Sequence, residues 1–366
     1  MRTLPRPDQL IFMESPMTAA QDKPLPLAGF ALATLTPAAL LAAGAFWGGA
    51  WLWLGTFYIV FLAALIDQLI PLVAGEAHEG QEFPGSDLLL GLIGLLALAA
   101  LPLAAWAIAG PSELGRFEKL LLFIGIGHWL GQVGHPAAHE LIHRPSRLLF
   151  RLGQMVYCWL FFGQHASAHR LVHHRFVATA LDPNSARKGE SFYRFFLRAW
   201  RGSFWRGFEA ESKLRRGKKG GKGLHPYALY ALFYLLALSL AYLIAGFGGL
   251  AVWLGLAFQG QVQILVSDYV QHYGLRRELL ANGKPEPVGP RHSWNTAQWF
   301  SSALMLNAPR HSDHHAHPAR GYPALRLGAA EEAPRLPWSL PLACAMAFFP
   351  RLWKRKMKRQ LKKYQL

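Results

Sequence analysis

The apolar residues of this chain are gathered into six long runs separated by polar segments. Between Leu25 and Gly110 there are only five formal charges and no lysine or arginine. A soluble domain could not make its surface from such a stretch, and an almost uncharged run of about twenty residues is long enough to cross a bilayer as a helix. The pattern therefore predicts an all-α integral membrane protein with six transmembrane helices, at about residues 27–48, 51–74, 87–109, 117–138, 226–246 and 249–271.

Two of these runs contain polar side chains at membrane depth. The fourth has His128, Gln132 and His135, and the sixth has Asp268 and several glutamines. Polar groups inside a bilayer are costly and normally face the interior of the helix bundle. They could serve only to bond neighbouring helices to each other. Because both runs lead directly into groups of histidines, a functional interior is the favoured interpretation.

The basic residues indicate on which side of the membrane each loop lies. Residues 144–225 and 272–366 hold 33 of the 38 Lys+Arg, and loops rich in lysine and arginine stay on the cytoplasmic side. We therefore expect both termini in the cytoplasm, in a bacterial inner membrane. The expected organisation is a disordered tail over 1–24, a six-span domain over 25–340 with a cytoplasmic insert at 144–225, and a basic tail over 341–366.

Charge and cysteine content exclude other classes of protein. The formal net charge is +17, but the basic residues flank apolar runs, so membrane lipids are the expected partner and nucleic acid is not. Cys158 and Cys344 are the only cysteines, which is too few for a zinc ribbon or an iron–sulfur cluster. Any metal site must therefore use other ligands.

The chain has 16 histidines, and nine of them lie at or beyond the ends of the predicted spans, most of them in clusters. In HELIH, His139 and His143 are four residues apart and share one face of a helix. HRLVHH contains a similar pair, His169 and His173, with a neighbour, and HSDHH repeats the arrangement. Neutral imidazole binds iron, copper, zinc and nickel, and nine imidazoles exceed what one ion can hold and match two. The candidate ligands are His139, His143, His169, His173, His174, His272, His311, His314 and His315.

Two other kinds of metal site match part of this pattern. HELIH fits HExxH, the zinc-protease motif in which the glutamate, here Glu140, is the general base. That interpretation leaves most of the clustered histidines unused. Glu140 and His143 also form one ExxH motif, but a carboxylate di-iron bundle needs two copies and two further glutamates. The sequence therefore favours a centre made of histidine.

Four segments carry a resemblance to a known family. HELIHR, HRLVHH followed by DPNSARKGES, QHYGL, and NAPRHSDHHAHPARGYPAL together resemble the membrane alkane hydroxylases (alkane 1-monooxygenases), which are related to membrane fatty-acid desaturases and xylene monooxygenase. The resemblance covers about residues 25–335. It implies a six-span fold with a cytoplasmic, histidine-rich helical cap and a non-heme di-iron centre, with two Fe ions held by the nine histidines named above.

The resemblance also implies a reaction. Family members insert one oxygen atom from O2 into the terminal C–H bond of a medium-chain alkane or alkyl substrate, which gives a primary alcohol. Such a substrate is bound by the shape of an apolar channel. Because this chain lacks the four cysteines of a rubredoxin, we expect a separate electron carrier of rubredoxin or ferredoxin type, with its reductase. A basic face that includes Arg310, Arg320 and the terminal basic run is expected to attract it.

Some positions depart from the family pattern. Ala168 and Val172 stand where the second histidine box has Glu and Gly. Asp268 and Gln271 stand where the box that contains His272 has Asn and Glu. All nine ligand positions are kept, so the departures concern the surroundings of the metal and the identity of the substrate.

Other residues near the boxes each have two interpretations. Five carboxylates could orient ligand imidazoles by accepting their N–H bonds, or could be structural: Glu140, Asp182, Glu190, Asp268 and Asp313. The other histidines near the boxes are expected to be structural: His128, His135, His165 and His317. Four aromatic residues of the second span could line a substrate channel: Trp51, Trp53, Phe57 and Tyr58. The two tryptophans could instead form an interfacial belt.

Two alternative functions remain open at the level of sequence. One is a desaturase or a hydroxylase of another apolar substrate, such as a fatty acyl chain or an alkyl aromatic. The other is a non-enzymatic metal transporter or sensor, and a transporter would place its ligands near the middle of the membrane. Here the ligands fall at the ends of the spans and beyond, which favours an enzyme.

Overall fold

The computed structural model of the chain describes residues 19–20, 23–217 and 223–365. Most of the expected N-terminal tail, and the lysine-rich residues 218–222, lie outside this part. Within it the fold is mostly helical, with one short parallel pairing between strand β1, Ala19–Ala20, and strand β2, Leu72–Val73. The predicted helical class is therefore confirmed for the described part of the chain.

The helices follow one another along the chain, and three π-turns interrupt them. The helices are α1 Leu27–Trp47, α2 Ala50–Leu69, α3 Ser86–Ala109, α4 Arg116–Trp129, α5 His135–His143, α6 Arg147–Trp159, α7 Gln164–Ala168, α8 His174–Phe176, α9 Phe192–Arg216, α10 Pro226–Gln271, α11 Trp299–Leu304, α12 His311–Ala316, α13 Leu340–Ala347 and α14 Pro350–Lys363. The π-turns are Tyr58–Leu62 within α2, Leu130–Gly134 between α4 and α5, and His169–His173 between α7 and α8.

Among the described helices, four are long and apolar enough to cross a membrane, namely α1, α2, α3 and α10. Helix α10 is broken in its middle, because Ala245 and Gly246 leave helical geometry and Gly246 takes a positive φ of 57°. The carbonyl oxygen of Ala241 comes close to Gly249, although these residues would be about 12 Å apart along a straight helix. The chain therefore folds back at Gly246, where the sequence separates the fifth and sixth runs.

The fourth predicted run, 117–138, is helical but is not among these four apolar helices. It forms α4, the π-turn Leu130–Gly134 and most of α5. The second half of α10 packs closely against it, and a Cβ atom at Gly127 or Gly131 would collide with the side chains of Gln259 and Gln263. Glycine at these two positions therefore allows the polar helices to approach each other.

The glutamines of these segments bond between helices. The Nε2 of Gln263 donates to the carbonyl of Gly127 at 2.8 Å, and the Nε2 of Gln132 donates to the carbonyl of Ile59 at 3.0 Å. An amide that finds such a partner can be tolerated inside an apolar bundle. Both glutamines therefore bond between helices.

The connections between the helices lie at the two ends of the bundle. At one end the turn between α1 and α2 contacts the start of α4, where the N–H of Gly49 donates to Glu118 at 2.7 Å. At the other end Arg144, just after α5, forms an ion pair of 3.0 Å with Asp87, at the start of α3. The histidine clusters lie at this second end.

The C-terminal segment packs against the rest of the protein as far as residue 365. Helix α14 buries Trp353, Met357 and Leu361, and its neighbour α13 contacts α10. Basic side chains occupy the outer face of α14. The segment is therefore a basic surface helix.

Candidate metal centre

Nine histidines from separate parts of the fold meet at one end of the bundle. They form two groups, and within each group the possible ligand atoms all lie within 4.8 Å of one another. The first group is His139, His143, His169, His174 and His314, and the second group is His173, His272, His311 and His315. The structure thus brings together all nine residues that the sequence predicts as ligands.

Ring nitrogens converge in the first group. The Nε2 atoms of His139 and His169 are 2.8 Å apart, those of His169 and His174 are 2.9 Å apart, and those of His174 and His314 are 3.1 Å apart. Two nitrogens at right angles around one ion would be about 3 Å apart, since a metal–imidazole bond is about 2.1 Å long. The spacing is that of ligand atoms arranged around a single ion.

The second group repeats this spacing. Nε2 of His311 lies 3.1 Å from Nε2 of His272 and 3.1 Å from Nε2 of His315. The Nε2 atoms of His143, in the first group, and of His173, in the second, are buried and have no hydrogen-bond partner among the described residues. A buried nitrogen without a partner is unfavourable, and a metal ion would supply the missing bond. The residues therefore fit one ion in each group.

Burial keeps the imidazoles of the first group neutral. Loss of hydration, followed by repulsion from neighbouring basic groups, lowers the pKa of His143 to about 3. The same causes hold the pKa values of His169, His174 and His314 well below the ordinary value. Only a neutral imidazole has a lone pair to give to a metal, so these side chains are ready to act as ligands at neutral pH.

The π-turn His169–His173 decides which histidine joins which group. Residues four apart share a face of an α-helix, so the sequence pairs His169 with His173. A π-turn contains one residue more than an α-helical turn, and His169 meets His174, five residues later, in the first group. The spacing of His169 and His173 along the sequence therefore does not place them in one group, whereas His139 and His143 of HELIH belong to the same group.

Asp182 contacts one of the nine histidines directly. Its Oδ2 lies 2.8 Å from Nδ1 of His173 and also accepts the hydroxyl of Ser185 at 2.6 Å. Burial acts to lower the pKa of His173, but the carboxylate outweighs it and raises that pKa. Asp182 therefore holds a proton on Nδ1 of His173 and turns Nε2 towards the other histidines of the second group.

Glu140 lies beside the first group and is held by other residues. Its Oε2 accepts the backbone N–H of Tyr322 at 3.0 Å and the guanidinium of Arg144 at 3.2 Å. Its Oε1 lies 4.0 Å from Nδ1 of His314. The zinc-protease interpretation needs a glutamate that is available as a base, next to a pair of histidines and one further ligand. This geometry disfavours it, because Glu140 is occupied and the HELIH histidines belong to a group of five.

The other three candidate carboxylates bond to residues outside the nine histidines. Within the described part of the chain the contacts are Asp313 with Arg320 at 2.6 Å and His317 at 2.8 Å, Glu190 with Arg198 at 2.7 Å, and Asp268 with Asn184 at 2.7 Å. Asp313 and Glu190 are therefore structural. Asp268 bonds to Asn184, which lies two residues after Asp182 in the loop that orients His173. Asp268 therefore contacts this loop and not the histidine itself.

Two further histidines are buried beside the first group without joining it. Nδ1 of His135 lies 3.0 Å from the hydroxyl of Tyr157, and the ring of His165 stacks on that of His169 with 5.1 Å between centroids. Neither belongs to the two groups of possible ligand atoms, although Nε2 of His165 is also buried without a hydrogen-bond partner among the described residues. Tyr157 was not singled out by the sequence, since no spacing relates it to the histidine boxes.

A cavity of about 420 Å³ lies between α2, the π-turn after α4, the second half of α10, and α13. Its walls are mostly apolar, with His128, Gln132, Gln263 and Ser267 as polar exceptions. The exposed Phe61 stands on one side of it. Ser267 is little more than one helical turn from His272. The cavity therefore extends from the outer surface of the bundle towards the second histidine group.

The aromatic residues expected from the sequence do not line this cavity. Trp51, Trp53 and Phe57 are exposed on the surface of α2, and the cavity is lined instead by residues one to two turns later, including Val60 and Ala64. The interfacial belt is the interpretation that fits the exposed rings.

Arg310 is buried, contrary to its expected place on a basic docking face. It is only 3% exposed, and its guanidinium donates to the carbonyls of Leu325 at 2.7 Å and Ala74 at 2.8 Å. The expectation that Arg310 attracts an electron carrier is therefore wrong. Arg310 instead ties the loop after α2 to the start of α12, which carries three of the nine histidines.

Comparisons with known proteins agree with this site. Residues 119–344 match the fatty acid desaturase family. The chain is 30% identical to alkane 1-monooxygenase 2 of Pseudomonas aeruginosa, over 88% of this chain and 87% of that protein. It is 36% identical to alkane 1-monooxygenase 1 of Alcanivorax borkumensis over 69% of this chain and 62% of that protein.

A further relative is named for a different apolar substrate. The chain is 29% identical to the hydroxylase component of xylene/toluene monooxygenase from Pseudomonas putida, over 85% of this chain and 82% of that protein. The four apolar helices and these relatives indicate a membrane protein. The chain therefore belongs to the alkane 1-monooxygenase family, within the fatty acid desaturase group, and is an oxidoreductase.

Proposed function

We propose that this protein is a non-heme di-iron monooxygenase that converts a medium-chain alkane or alkyl substrate into the primary alcohol. The observation that carries the proposal is the pair of neighbouring all-histidine groups, one of five and one of four residues, beside an apolar cavity. His139, His143, His169, His174 and His314 would hold one iron. His173, His272, His311 and His315 would hold the other.

The chemistry of the ligand set supports iron. Iron held by neutral imidazoles would supply the O2 activation that attack on an unactivated C–H bond requires. One oxygen atom enters the product, the other leaves as water, and two electrons and two protons are consumed. A separate carrier of rubredoxin or ferredoxin type, with its reductase, would supply the electrons.

The test is oxygen incorporation by membranes that contain the protein. Supplied with octane, 18O2, rubredoxin, its reductase and NADH, they are expected to form 1-octanol labelled with 18O. Membranes without the protein are the control. Formation of an alkene or an unsaturated acyl chain instead would identify a desaturase. Metal uptake without any oxygen-dependent product would favour a transporter or sensor and contradict the proposal.

The cavity beside α2 and α10 is the proposed binding place of the alkyl chain. Its volume of about 420 Å³ lies within the range of pockets that bury small ligands, about 300–1,000 Å³. An alkane offers no group for hydrogen bonding, so apolar walls and length must position it. The terminal carbon would lie at the end of the cavity near Ser267, towards His272.

Filling this cavity is expected to shorten the substrates that the enzyme accepts. In Ala64→Trp the new ring would occupy space that the longer alkanes need, so kcat/KM for dodecane should fall about tenfold or more relative to hexane. Leu65→Trp is the matched control, because Leu65 is exposed and does not line the cavity. An equal chain-length profile for both variants would argue against this pocket.

We further propose six membrane spans, with both termini and the metal centre in the cytoplasm of a bacterial inner membrane. The proposed spanning domain covers residues 25–340, with the insert 144–225 and the basic segment 341–366 on the cytoplasmic side. Basic loops at the histidine end support this orientation. Reporter fusions at Pro111 and at the C-terminus are expected to lie in different compartments. The same compartment for both would contradict the topology.

A further inference from the structure

Helix α9 has three faces of different character. The first is buried against the protein and consists of Phe192, Phe195, Ala199, Ser203 and Gly207. These residues recur every three or four positions, which is the period of one helical stripe. Helix α9 is therefore fixed along its length and presents its remaining two faces outward.

The second face is apolar but exposed. Tyr193, Leu197, Trp200 and Phe208 follow one another at intervals of four, three and eight residues and are all exposed, Leu197 by 64%. An exposed apolar stripe of this size would be unfavourable in water. Phe196, which is not part of the stripe, packs against Phe258 of α10 with 6.0 Å between the ring centroids. Phe258 is an exposed residue of a helix that is apolar enough to span a membrane. The apolar face therefore continues the lipid-facing surface of α10.

The third face is basic and borders the apolar one. Arg194 and Arg201 are seven residues apart, so they lie two helical turns from each other on the same side. Both are exposed, and neither makes a hydrogen bond or an ion pair with any described residue. Arg198, between them, is occupied by Glu190 at 2.7 Å and by the carbonyl of Pro183 at 2.7 Å. Two free guanidinium groups thus remain on this face.

A shallow, open surface cavity joins the basic and apolar faces. It is lined by Arg194, Leu197, Arg198 and Arg201, and no carboxylate lines it. Guanidinium binds phosphate through parallel N–H bonds, and the apolar wall suits an alkyl chain. This combination of charge and apolar surface suits a molecule that carries both a phosphate and an alkyl chain. It suits a free anion or a polar protein surface less well.

Contacts of α9 show where along the bundle this cavity lies. The ring of Phe196 lies 6.0 Å from that of Phe258, and Nε1 of Trp200 donates to Gln261 at 2.8 Å. Both partners belong to the half of α10 that leads to His272. The ring of Phe195, next to Arg194 in the sequence, lies 5.3 Å from that of Tyr269, which is three residues before His272. The surface cavity therefore lies alongside α10, towards the end of the bundle that holds the histidines.

We propose that α9 lies in the membrane interface and that its cavity binds the headgroup of an anionic phospholipid. The phosphate is held between Arg194 and Arg201, and an acyl chain runs along Leu197 beside α10. The proposal rests on α10 being a membrane-spanning helix, and it is independent of the reaction that the histidine groups support. Under this proposal an anionic lipid binds at a defined site on the protein and is not only part of the surrounding bilayer.

The test uses the full-length protein in nanodiscs of phosphatidylcholine with a minority of phosphatidylglycerol. Spin-labelled forms of the two lipids report, by electron paramagnetic resonance, how much of each is immobilised by the protein. The unmodified protein is expected to immobilise phosphatidylglycerol in preference to phosphatidylcholine. In the double variant Arg194→Gln, Arg201→Gln this preference should fall by about fivefold for each arginine.

A matched double variant, Arg355→Gln and Arg359→Gln on α14, removes the same charge from two exposed positions of another helix. It should keep the preference. An equal loss in both double variants would show that diffuse positive charge, not a site on α9, attracts the lipid. Inorganic phosphate should not displace the labelled lipid, and displacement would identify a simple anion site and overturn the proposal.

A second readout separates this result from a failure of the membrane topology. Leu197→Ala should weaken immobilisation of phosphatidylglycerol while the two arginines remain. Spin-labelled phosphatidylcholine should still show a motionally restricted fraction in every variant, because lipid in contact with the spanning helices is restricted whatever its headgroup. Loss of that fraction in the unmodified protein would contradict the spanning helices instead, and retention of full phosphatidylglycerol preference in Leu197→Ala would contradict the acyl-chain contact.

Discussion

Replacing His314 with alanine is expected to abolish turnover and to lower the metal content of the protein. His314 reaches the first group from α12, and its Nε2 lies 3.1 Å from Nε2 of His174. An alanine leaves no ligand atom there, and the other histidines on α12 are committed to the second group. Metal analysis should give two iron ions per chain for the unmodified protein and at most about one for the variant.

His317→Ala is the matched control for this experiment. His317 lies three residues further along, its side chain is 55% exposed, and it bonds to Asp313 and not to the metal groups. It should keep both iron ions and most of the turnover. In a zinc protease the effects on activity would be reversed, because replacing Glu140 would abolish activity and replacing His314 would not. An active His314→Ala protein with its full metal content would overturn the di-iron assignment.

Replacing Asp182 with asparagine is expected to lower iron affinity and turnover by about 10–100-fold, the usual effect of losing a group that orients a metal-binding histidine. The neutral amide can no longer favour the protonated Nδ1 of His173 by charge. The imidazole of His173 is then no longer fixed in one tautomer, and it binds the metal ion of the second group less tightly. Competition with a chelator measures the affinity, and product formation measures kcat.

Asp313→Asn provides the comparison for Asp182. Asp313 is also a partly buried carboxylate beside the histidines, but it bonds to Arg320, His317 and a backbone N–H. Its replacement should affect thermal stability more than iron affinity. If both variants lose iron equally, or if Asp182→Asn binds iron as tightly as the unmodified protein, the orienting role of Asp182 is contradicted.

Much of the fold follows from apolar periodicity and length. The boundaries of α1 and α3 lie within a few residues of the predicted runs 27–48 and 87–109, because an uninterrupted apolar run has one stable form in a membrane. The predicted run 51–74 ends early at Leu69, since the following residues pair as a strand with Ala19–Ala20. The apolar pattern of residues 51–74 cannot show that the distant segment Ala19–Ala20 pairs with the backbone of Leu72–Val73.

Packing that involves distant residues was beyond the reach of the sequence. The burial of Arg310 depends on the carbonyl of Ala74, more than two hundred residues away, so an arginine in a basic region was expected at the surface. From α2 the cavity is lined by Val60, Phe61 and Ala64, and not by the expected residues Trp51, Trp53, Phe57 and Tyr58. Which side chains line a cavity depends on how the packed helices are rotated relative to one another. The sequence of a single helix does not show that rotation.

The sequence by itself determined which atoms were available for the metal centre. Imidazoles at helical spacing, in a chain with two cysteines, left histidine as the ligand, and all nine residues meet in the structure. The family resemblance rested on the same residues.

Only the tertiary structure decided how these ligands divide into groups of five and four. The π-turn at His169–His173 directs His169 and His174 to one group and His173 to the other, although a regular helix would have paired His169 with His173. Likewise, five carboxylates lay near the boxes, and only the fold put Asp182 within 2.8 Å of His173. The physical reason is that ligand grouping depends on the directions of side chains from separate elements. Spacing along one helix constrains only the residues of that helix.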